Sequence, residues 1–400
     1  MIDNLPNGWK VEELGNCVDI LDNQRIPLNN QDREERIKGK NISELFPYYG
    51  ATQQVGYIDD FLFDEELVLL GEDGVMFYDK DKQKAYLING KSWVNNHAHV
   101  LRAKKNITIN KYLVNFLNTF HYKGFVSGAT RLKLNQSRMA KIPIPIPPLE
   151  QQKKIVKVLD LTSNLIEKQK ELLKKYDLFL KSKFIEMFGD PILNPMGWEV
   201  KKLKDLSTLI MSGNTPKGGS EVYVDKGILF FRSQNVWKNK ILLDEIAYID
   251  NETHSKMKKS SLKHKDILMT KTGRFNTENS SLGRASLFLG KDDSANINGH
   301  VYLIRLKKNM IHRFVVYILT TNEYRDYIRK ICVGGIDKRQ INKTHLEDFP
   351  IIFPPLELQN KFSSIVEKIE IIKEKENQKL KQMNDLHNSM MNKAFKGDIK

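Results

Sequence analysis

The amino-acid sequence predicts an α+β fold with two tandem domains, each made of short β-strands with a few helices and each followed by one long helix. A motif at residues 147–152 returns at residues 354–359, an offset of 207 residues (354 minus 147). A second phrase, Pro-x-Gly-Trp, occurs at residues 6–9 and again at residues 195–198. A repeat with so long a period indicates two similar structural units.

Short hydrophobic runs between glycines predict the strands of each domain. The second half of the chain carries runs that match those of the first half, so we expect the same kind of α+β domain twice. The predicted strand segments are 55–58, 67–70 and 75–78, then 227–236, 265–273 and 283–290, and the predicted helices are 110–120 and 313–331.

Long helices are predicted after both motifs. The lead-in at residues 142–148 is rich in proline, which lacks an amide hydrogen and fixes φ, so it is neither helix nor central strand. Residues 149–188 contain no glycine or proline, and at about 1.5 Å per residue they predict a helix of roughly 60 Å. Its counterpart follows residue 355. Both carry an apolar heptad seam, which turns polar near the middle, at Gln169 and at Lys373.

Two amphipathic helices of this length are not stable alone in water, so we expect them to pack on each other as a coiled coil. The alternative is that each helix packs only on its own domain. The heptad seam continues past the reach of a small domain, which favours the paired arrangement.

The chain is strongly basic, with 64 Lys+Arg against 49 Asp+Glu and a pI near 9.4. This balance favours a polyanionic partner, first of all nucleic acid, although a lysine-rich proteome gives the same composition. The two cysteines, Cys17 and Cys332, lie far apart without a CxxC motif, which argues against a zinc ribbon or a disulfide framework. Without a membrane-length apolar run or a signal-like start, we expect a cytoplasmic protein with no membrane association.

Basic clusters on predicted loops are the candidate DNA-binding residues. Lysine and arginine attract phosphates, and arginine, glutamine and asparagine can also read base edges. The alternative is that these side chains are only a solvated surface. The candidates are Gln53, Gln54, Arg131, Lys133, Asn135, Arg138, Gln234, Asn235, Lys258, Lys259, Lys271, Arg274, Lys338, Arg339 and Gln340.

No catalytic, cofactor or metal motif is found in the sequence. An Asn or Asp followed by two prolines and an aromatic residue, typical of adenine methyltransferases, does not occur. The glycine-rich segment 212–219 lacks the Gly-Lys-Ser/Thr of a phosphate loop. His97 and His99 are the best metal-like pair, but no third ligand is near in sequence, so we expect one packed and one exposed histidine.

The ordered set of motifs resembles the specificity subunit of type I restriction–modification systems. The residues that carry the resemblance are Pro-Pro-Leu-Glu-x-Gln at 147–152 and 354–359, Gly-Trp at 8–9 and 197–198, and the segments 48–63 and 212–219.

This resemblance implies two target-recognition domains, at residues 1–147 and 191–354, that each read half of a bipartite, asymmetric site in double-stranded DNA. It also implies that long spacer helices at 148–190 and 355–400 form an antiparallel coiled coil with pseudo-two-fold symmetry. Such subunits are non-catalytic and bind no cofactor. They dock two adenine-N6 methyltransferase subunits, with a restriction–translocation subunit as an optional further partner.

Two other functions compete with this one. A stand-alone nuclease or methylase would need the catalytic motifs that are missing. A coiled-coil scaffold without DNA binding would share the helices but would not bind duplex DNA in a steeply salt-dependent way.

Overall fold

The structure, a computed structural model, describes residues 5–275, 277 and 279–399, and the chain divides into two compact units. The first comprises Met1–Glu171 with Asn377–Lys400, and the second Leu172–Glu376. Both long helices therefore contribute to both units. This division does not test the domain boundaries predicted from the repeat, which stay a prediction. None of the helices in the described residues is long and apolar enough to cross a membrane.

The elements follow the repeat. The first half contains β1 (Lys10–Glu13), α1 (Leu14–Cys17), β2 (Val18–Ile20), α2 (Asn30–Ile37), β3 (Phe46–Tyr49), β4 (Gln54–Ile58), β5 (Phe63–Asp64), β6 (Leu67–Gly71), β7 (Ala85–Ile88), β8 (Lys91–Val94), β9 (Ala98–Ala103), α3 (Asn110–Thr119), α4 (Gln136–Met139), β10 (Pro143–Ile146) and α5 (Leu149–Phe188). The second half contains β11 (Val200–Lys202), α6 (Leu203–Leu206), β12 (Ser207–Ser212), β13 (Ile228–Phe231), β14 (Val236–Trp237), β15 (Lys240–Ile241), β16 (Ala247–Ile249), α7 (Asn251–Lys256), β17 (Ile267–Thr270), β18 (Thr272–Arg274), β19 (Ala285–Leu287), β20 (Ala295–Ile297), β21 (Val301–Leu306), α8 (His312–Leu319), α9 (Asn322–Ile331), β22 (Val333–Gly334), β23 (Lys338–Gln340), α10 (Lys343–Glu347), β24 (Pro350–Ile352) and α11 (Leu356–Lys396).

Corresponding sheets occur in both units, which confirms the predicted α+β fold class. An antiparallel sheet has the order β2-β9-β6-β7 in the first unit and β12-β21-β17-β19 in the second. A second sheet has the order β4-β3-β8-β5 or β16-β13-β20, and each contains one parallel pair. The central strand β6 is wholly buried because its alternate residues enter two different cores, which explains its continuous apolar sequence.

The sequence prediction of a strand at residues 75–78 is wrong. Val75 and Phe77 are buried, but the backbone turns, and the Phe77 amide donates to the Val75 carbonyl at 3.0 Å. The Phe77 ring packs on Tyr122 with ring centroids 4.8 Å apart. The apolar pattern here reflects burial of side chains without any strand partner.

The single helix predicted at residues 313–331 is also wrong, because the structure has two helices, α8 and α9. They are separated at Thr320 and Thr321. The Thr321 hydroxyl accepts a hydrogen bond from the Tyr324 amide at 3.2 Å and caps the start of α9. Threonine side chains compete with the backbone for such bonds, which favours a helix start over a helix interior.

The proline-rich lead-in and the motif glutamine connect the strands of each unit to its long helix. Within the described residues, β10 pairs with β1 alone and β24 with β11 alone, so Pro143, Pro145 and Pro350 lie in two-stranded sheets. Gln152 is fully buried, and its Nε2 donates to the Pro147 carbonyl at 2.9 Å. Gln359 makes the same bond to Pro354 at 2.7 Å. The Pro-Pro-Leu-Glu-x-Gln motif is therefore a structural joint at the start of each long helix.

The two long helices, α5 and α11, pack antiparallel in both units, as predicted. In the first unit, Thr162 of α5 lies 2.7 Å (Oγ1 to Nδ1) from His387 of α11. In the second unit, Phe184 and Phe188 of α5 pack edge-on against Phe362 of α11, with ring centroids 5.3 and 5.6 Å apart. The N-terminal part of one helix thus lies beside the C-terminal part of the other.

Candidate nucleic-acid interface

Five candidate residues of the second unit come together on one small sheet. β18 pairs with β23, so Arg274 lies opposite Lys338, and Thr272 lies opposite Gln340. Arg339 is also on β23, and Lys271 directly precedes β18. The third strand, β22, completes the sheet. Two basic segments that are distant in sequence therefore form one surface, which we call the β18–β23 face.

Two of the four cations of the β18–β23 face, Lys271 and Arg339, lie over aromatic rings. The Arg339 guanidinium lies 4.0 Å above the centroid of Phe275, and the Lys271 ammonium lies 5.7 Å above that of Tyr302. Arg274 and Lys338 are exposed. Among the described residues, Asp337 is the acid that approaches this group, with a carboxylate oxygen 3.9 Å from Arg274 Nε. The face is therefore positively charged, as an anionic partner requires.

In the first unit, Arg131 and Lys133 lie at the corresponding place. The backbone of Lys133 forms isolated antiparallel β-bridges with Ser127 and with Asp73, at the place where the second unit has its small sheet. Gly128 makes the turn possible, since its φ is +99° and a Cβ there would collide with the Arg131 carbonyl. Both basic side chains are more than half exposed.

Acidic partners, which the sequence analysis did not identify, distinguish this loop from its counterpart. Arg131 Nη2 lies 2.8 Å from Asp73 Oδ1, and Lys133 Nζ lies 3.1 Å from Glu72 Oε1. His97 Nδ1 also lies 2.9 Å from Asp73 Oδ1. The basic residues here are thus neutralised by ion pairs, although their side chains remain accessible.

Four further candidates in the first unit are exposed but lie on other loops. Gln53 lies in the turn between β3 and β4, and Gln54 begins β4, where its side-chain amide donates to the Gly56 carbonyl at 3.0 Å. Asn135 precedes the short helix α4, which carries Arg138. All four side chains are accessible to a partner, and they stay candidates.

Asn235 is a correction to the predicted set. It is fully buried, and its Nδ2 donates to the Leu242 carbonyl at 3.1 Å. Its Oδ1 accepts from the Arg232 amide at 3.0 Å. The asparagine holds a turn together and presents no edge to a base, whereas its neighbour Gln234 is exposed. Asparagine is common in turns because its side chain bonds nearby main-chain groups, and this accounts for Asn235 better than contact with DNA.

Lys258 and Lys259 are exposed on a 3₁₀ turn, Lys258–Ser260, and not on the β18–β23 face. A separate basic group that the sequence analysis missed surrounds Lys238. Desolvation of its ammonium lowers the pKa of Lys238, and the positive charges of Arg325, Arg284 and Arg329 lower it further. These residues are scattered along the chain, so no local motif identifies them.

A cluster of Asp22, Glu72 and His99 has ligand atoms close enough for a metal ion, but Arg25 occupies it. Arg25 Nη1 lies 2.9 Å from Glu72, and its Nη2 lies 3.4 Å from Asp22. His99 Nδ1 lies 2.6 Å from Asp22, while its Nε2 donates to the Leu134 carbonyl at 2.7 Å. The cluster is a satisfied buried network. His99 is packed and His97 partly exposed, as expected for two structural histidines.

Comparison with known proteins agrees with this architecture. The model of the type I restriction modification DNA specificity domain matches residues 6–175 and again residues 195–382. A putative type I restriction enzyme specificity subunit of Haemophilus influenzae is 29% identical over 383 residues, covering 93% of this chain and 90% of that protein. The MjaVIII specificity subunit of Methanocaldococcus jannaschii is 23% identical over 416 residues, covering 99% and 94%.

A solved structure supports the fold independently. The crystal structure of a type I restriction-modification S subunit from M. genitalium superposes with a TM-score of 0.59 at 12% identity, covering 99% of this chain and 97% of that one. Specificity subunits are the non-catalytic DNA-recognition components of restriction–modification complexes. With both halves matched by the same domain, the chain belongs to the type I restriction–modification DNA specificity family.

Proposed function

We propose that this protein is the subunit that reads a bipartite, asymmetric DNA site for a type I restriction–modification complex in the cytoplasm. Residues 1–147 and 191–354 are the two recognition domains, and residues 148–190 and 355–400 are the spacer helices. The observation that carries the proposal is the repeated placement of basic side chains at the corresponding place in both units. Arg131, Lys133 and Lys338 are exposed there, and Gln340 beside Lys338 is half-buried.

These side chains suit DNA. Lysine and arginine attract phosphates, and arginine and glutamine can each form two hydrogen bonds with a base edge in the major groove. The residues differ between the units at equivalent places, so the two half-sites should differ in sequence. Contacts to phosphate would position the protein, and the contacts to base edges would select the sequence.

Docking of two methyltransferase subunits is supported by exposed apolar residues on the long helices. Leu165 and Phe179 of α5 are 43% and 48% exposed, and Ile372 and Leu386, 207 residues further on, are 37% and 47% exposed. In the first unit, α5 and Ile109 also line a groove of about 520 Å³. Exposed apolar side chains at repeated positions suit two copies of one partner.

Methylation mapping tests the proposal as a whole. The chain would be co-expressed with a methyltransferase subunit encoded beside it, and modified adenines would be mapped across the host genome. The expected result is a motif with two short defined parts, an undefined spacer, and one methylated adenine on each strand. A continuous motif would contradict reading by two units. The same methylation pattern without this chain would contradict the proposed function.

Docking is tested separately by the stoichiometry of the purified complex. Leu165→Glu and Ile372→Glu should each remove one methyltransferase copy, measured by native mass spectrometry, because the two residues lie in different units. Lys168→Glu, an equally exposed position on α5, is the matched control and should keep both copies. Two bound methyltransferase copies in both the Leu165→Glu and the Ile372→Glu complex would contradict this docking surface. Binding of a restriction–translocation subunit can be assayed in the same preparations.

A further inference from the structure

Glu72 occupies a defined backbone position at the end of β6. Its amide donates to the His97 carbonyl at 2.8 Å, and its carbonyl accepts from the Leu134 amide at 2.7 Å. The residue therefore joins the end of the central strand to the turn before β9 and to the end of the loop that carries Arg131 and Lys133. Beside it, His99 Nε2 donates to the carbonyl of Leu134.

Lys271 occupies the same position in the second unit. Its amide donates to the His300 carbonyl at 2.8 Å, and its carbonyl accepts from the Ile341 amide at 2.9 Å. Here Tyr302 lies where the first unit has His99, and its hydroxyl donates to the Ile341 carbonyl at 2.9 Å. The backbone bonding is the same, so Glu72 and Lys271 are structural equivalents with opposite charge.

The neighbouring positions follow the same trend. Asp73, which comes after Glu72, accepts from Arg131, whereas the residue after Lys271 is the neutral Thr272. Lys133 pairs with Glu72, while at the equivalent place Gln340 lies opposite Thr272. Arg25 also pairs with Glu72 and with Asp22, so this place in the first unit carries three cations and three carboxylates in contact.

Among the described residues, the second unit carries more positive charge without an acidic partner at this place. Lys271, Arg274, Lys338 and Arg339 lie on or beside the β18–β23 face, and Asp337 is the acid among the described residues that approaches them. Arg339 replaces an apolar residue, Leu132, of the first loop.

We propose that the β18–β23 face supplies the larger share of the attraction to DNA phosphates, and that the corresponding loop of the first unit is nearly neutral and contributes mainly hydrogen bonds. This inference rests on the proposed function, because it divides the work of DNA binding between the two units. A cation that is already paired with a carboxylate gains less from a phosphate, since the carboxylate stays nearby and repels it.

Salt dependence separates the two contributions. Each phosphate neutralised by a protein cation adds about 0.9 to the magnitude of the slope of log K against log salt on duplex DNA. The assay measures binding of a random-sequence duplex by the full chain, in complex with its methyltransferase, from about 50 to 200 mM salt. Lys271→Gln with Lys338→Gln should reduce the slope by up to about 1.8, whereas Arg131→Gln with Lys133→Gln should reduce it by less than about 0.9.

Two further variants complete the experiment. Lys308→Gln removes an exposed charge outside both loops and should leave the slope unchanged. Asp73→Asn should increase the slope, because it releases Arg131 from its carboxylate. If the variant with Lys271→Gln does not fold, Lys338→Gln alone tests the same face, because Lys338 is exposed. This single variant should reduce the slope by up to about 0.9.

Equal slope changes for the two double variants, or no increase with Asp73→Asn, would overturn the inference while leaving DNA recognition intact. A wild-type complex without salt-dependent binding would instead overturn the proposed function itself.

Discussion

The buried glutamine of the repeated motif allows a prediction with an internal control. Gln152→Met keeps the length of the side chain but removes its polar atoms. Gln152 Nε2 donates to the carbonyls of Pro147 and Ile107, both at 2.9 Å, and its Oε1 accepts from the Thr108 hydroxyl at 2.9 Å and the Ile109 amide at 3.2 Å. The substitution therefore leaves four polar groups without this partner.

The energetic cost can be worked out from these groups. The Thr108 hydroxyl can rotate towards another acceptor, the Pro147 carbonyl is buried, and Ile107 and Ile109 are half-buried. The buried Pro147 carbonyl without a partner costs about 1–3 kcal/mol, and the two bonds lost at the half-buried groups cost about 0.5–1.5 kcal/mol each, so the loss is about 2–6 kcal/mol. Gln359 Nε2 donates to the Pro354 carbonyl at 2.7 Å, so Gln359→Met should cost about 1–3 kcal/mol.

Hydrogen exchange measures these losses locally. A chain of two units is not expected to unfold in one step, so the free energy of local opening should be followed on peptides covering the first turns of α5 and α11. Lys154→Met is the control, because this exposed lysine lies on the same turn and should change the opening free energy by less than about 0.5 kcal/mol. A Gln359 variant as damaging as the Gln152 variant, or a Gln152 variant with the stability of the control, would refute the reasoning.

Three further predictions follow from the structure. Deleting one heptad from each long helix, residues 167–173 and 374–380, removes about 10 Å, so methylation mapping should show a spacer shorter by about 3 base pairs, and an unchanged spacer would count against the helices as its determinant. Burial lowers the pKa of His387 below its ordinary 6.5, so the neutral imidazole stabilises the folded protein above that pH and this stabilisation is lost as the pH falls. The Tm of the His387→Gln variant should therefore fall less between pH 7.5 and 5.5 than the Tm of the wild type. Burial raises the pKa of the Cys17 thiol to about 11, so at pH 8 this thiol should not react with a disulfide reagent until the protein is unfolded, and rapid modification of the native protein would contradict its burial.

The helices could be predicted from the sequence because their signal is periodic and local. Ile155, Leu159 and Ile166 recur at heptad spacing, and all three are buried. The strands at residues 54–58 and 67–71 could also be predicted from a local signal, because runs of β-branched and apolar residues lie between turns. The run at residues 75–78 has the same local pattern, and only tertiary packing decides that it is a buried turn.

The candidate site was less accessible to sequence analysis. Composition identified the basic loops, but no local rule pairs Arg274 with Lys338, which are far apart along the chain and meet only through the β18–β23 pairing. The acids at Glu72 and Asp73 were missed because they follow a strand and not a basic cluster. Asn235 was misassigned because exposure depends on the fold around it.

The two units show which positions the frame requires and which it leaves open. Gln152 and Gln359 are the same residue at the same joint, because a helix that starts after two prolines needs a side chain to bond the proline carbonyl. Glu72 and Lys271 share their backbone bonds, yet their side chains are opposite in charge, because those bonds involve only main-chain atoms. The main-chain frame therefore allows the side chain to change at this place, and replacing Glu72 removes only its ion pairs with Arg25 and Lys133. A specificity subunit of this construction should alter the half-site that it reads through a few loop residues, while its helices and joints stay the same.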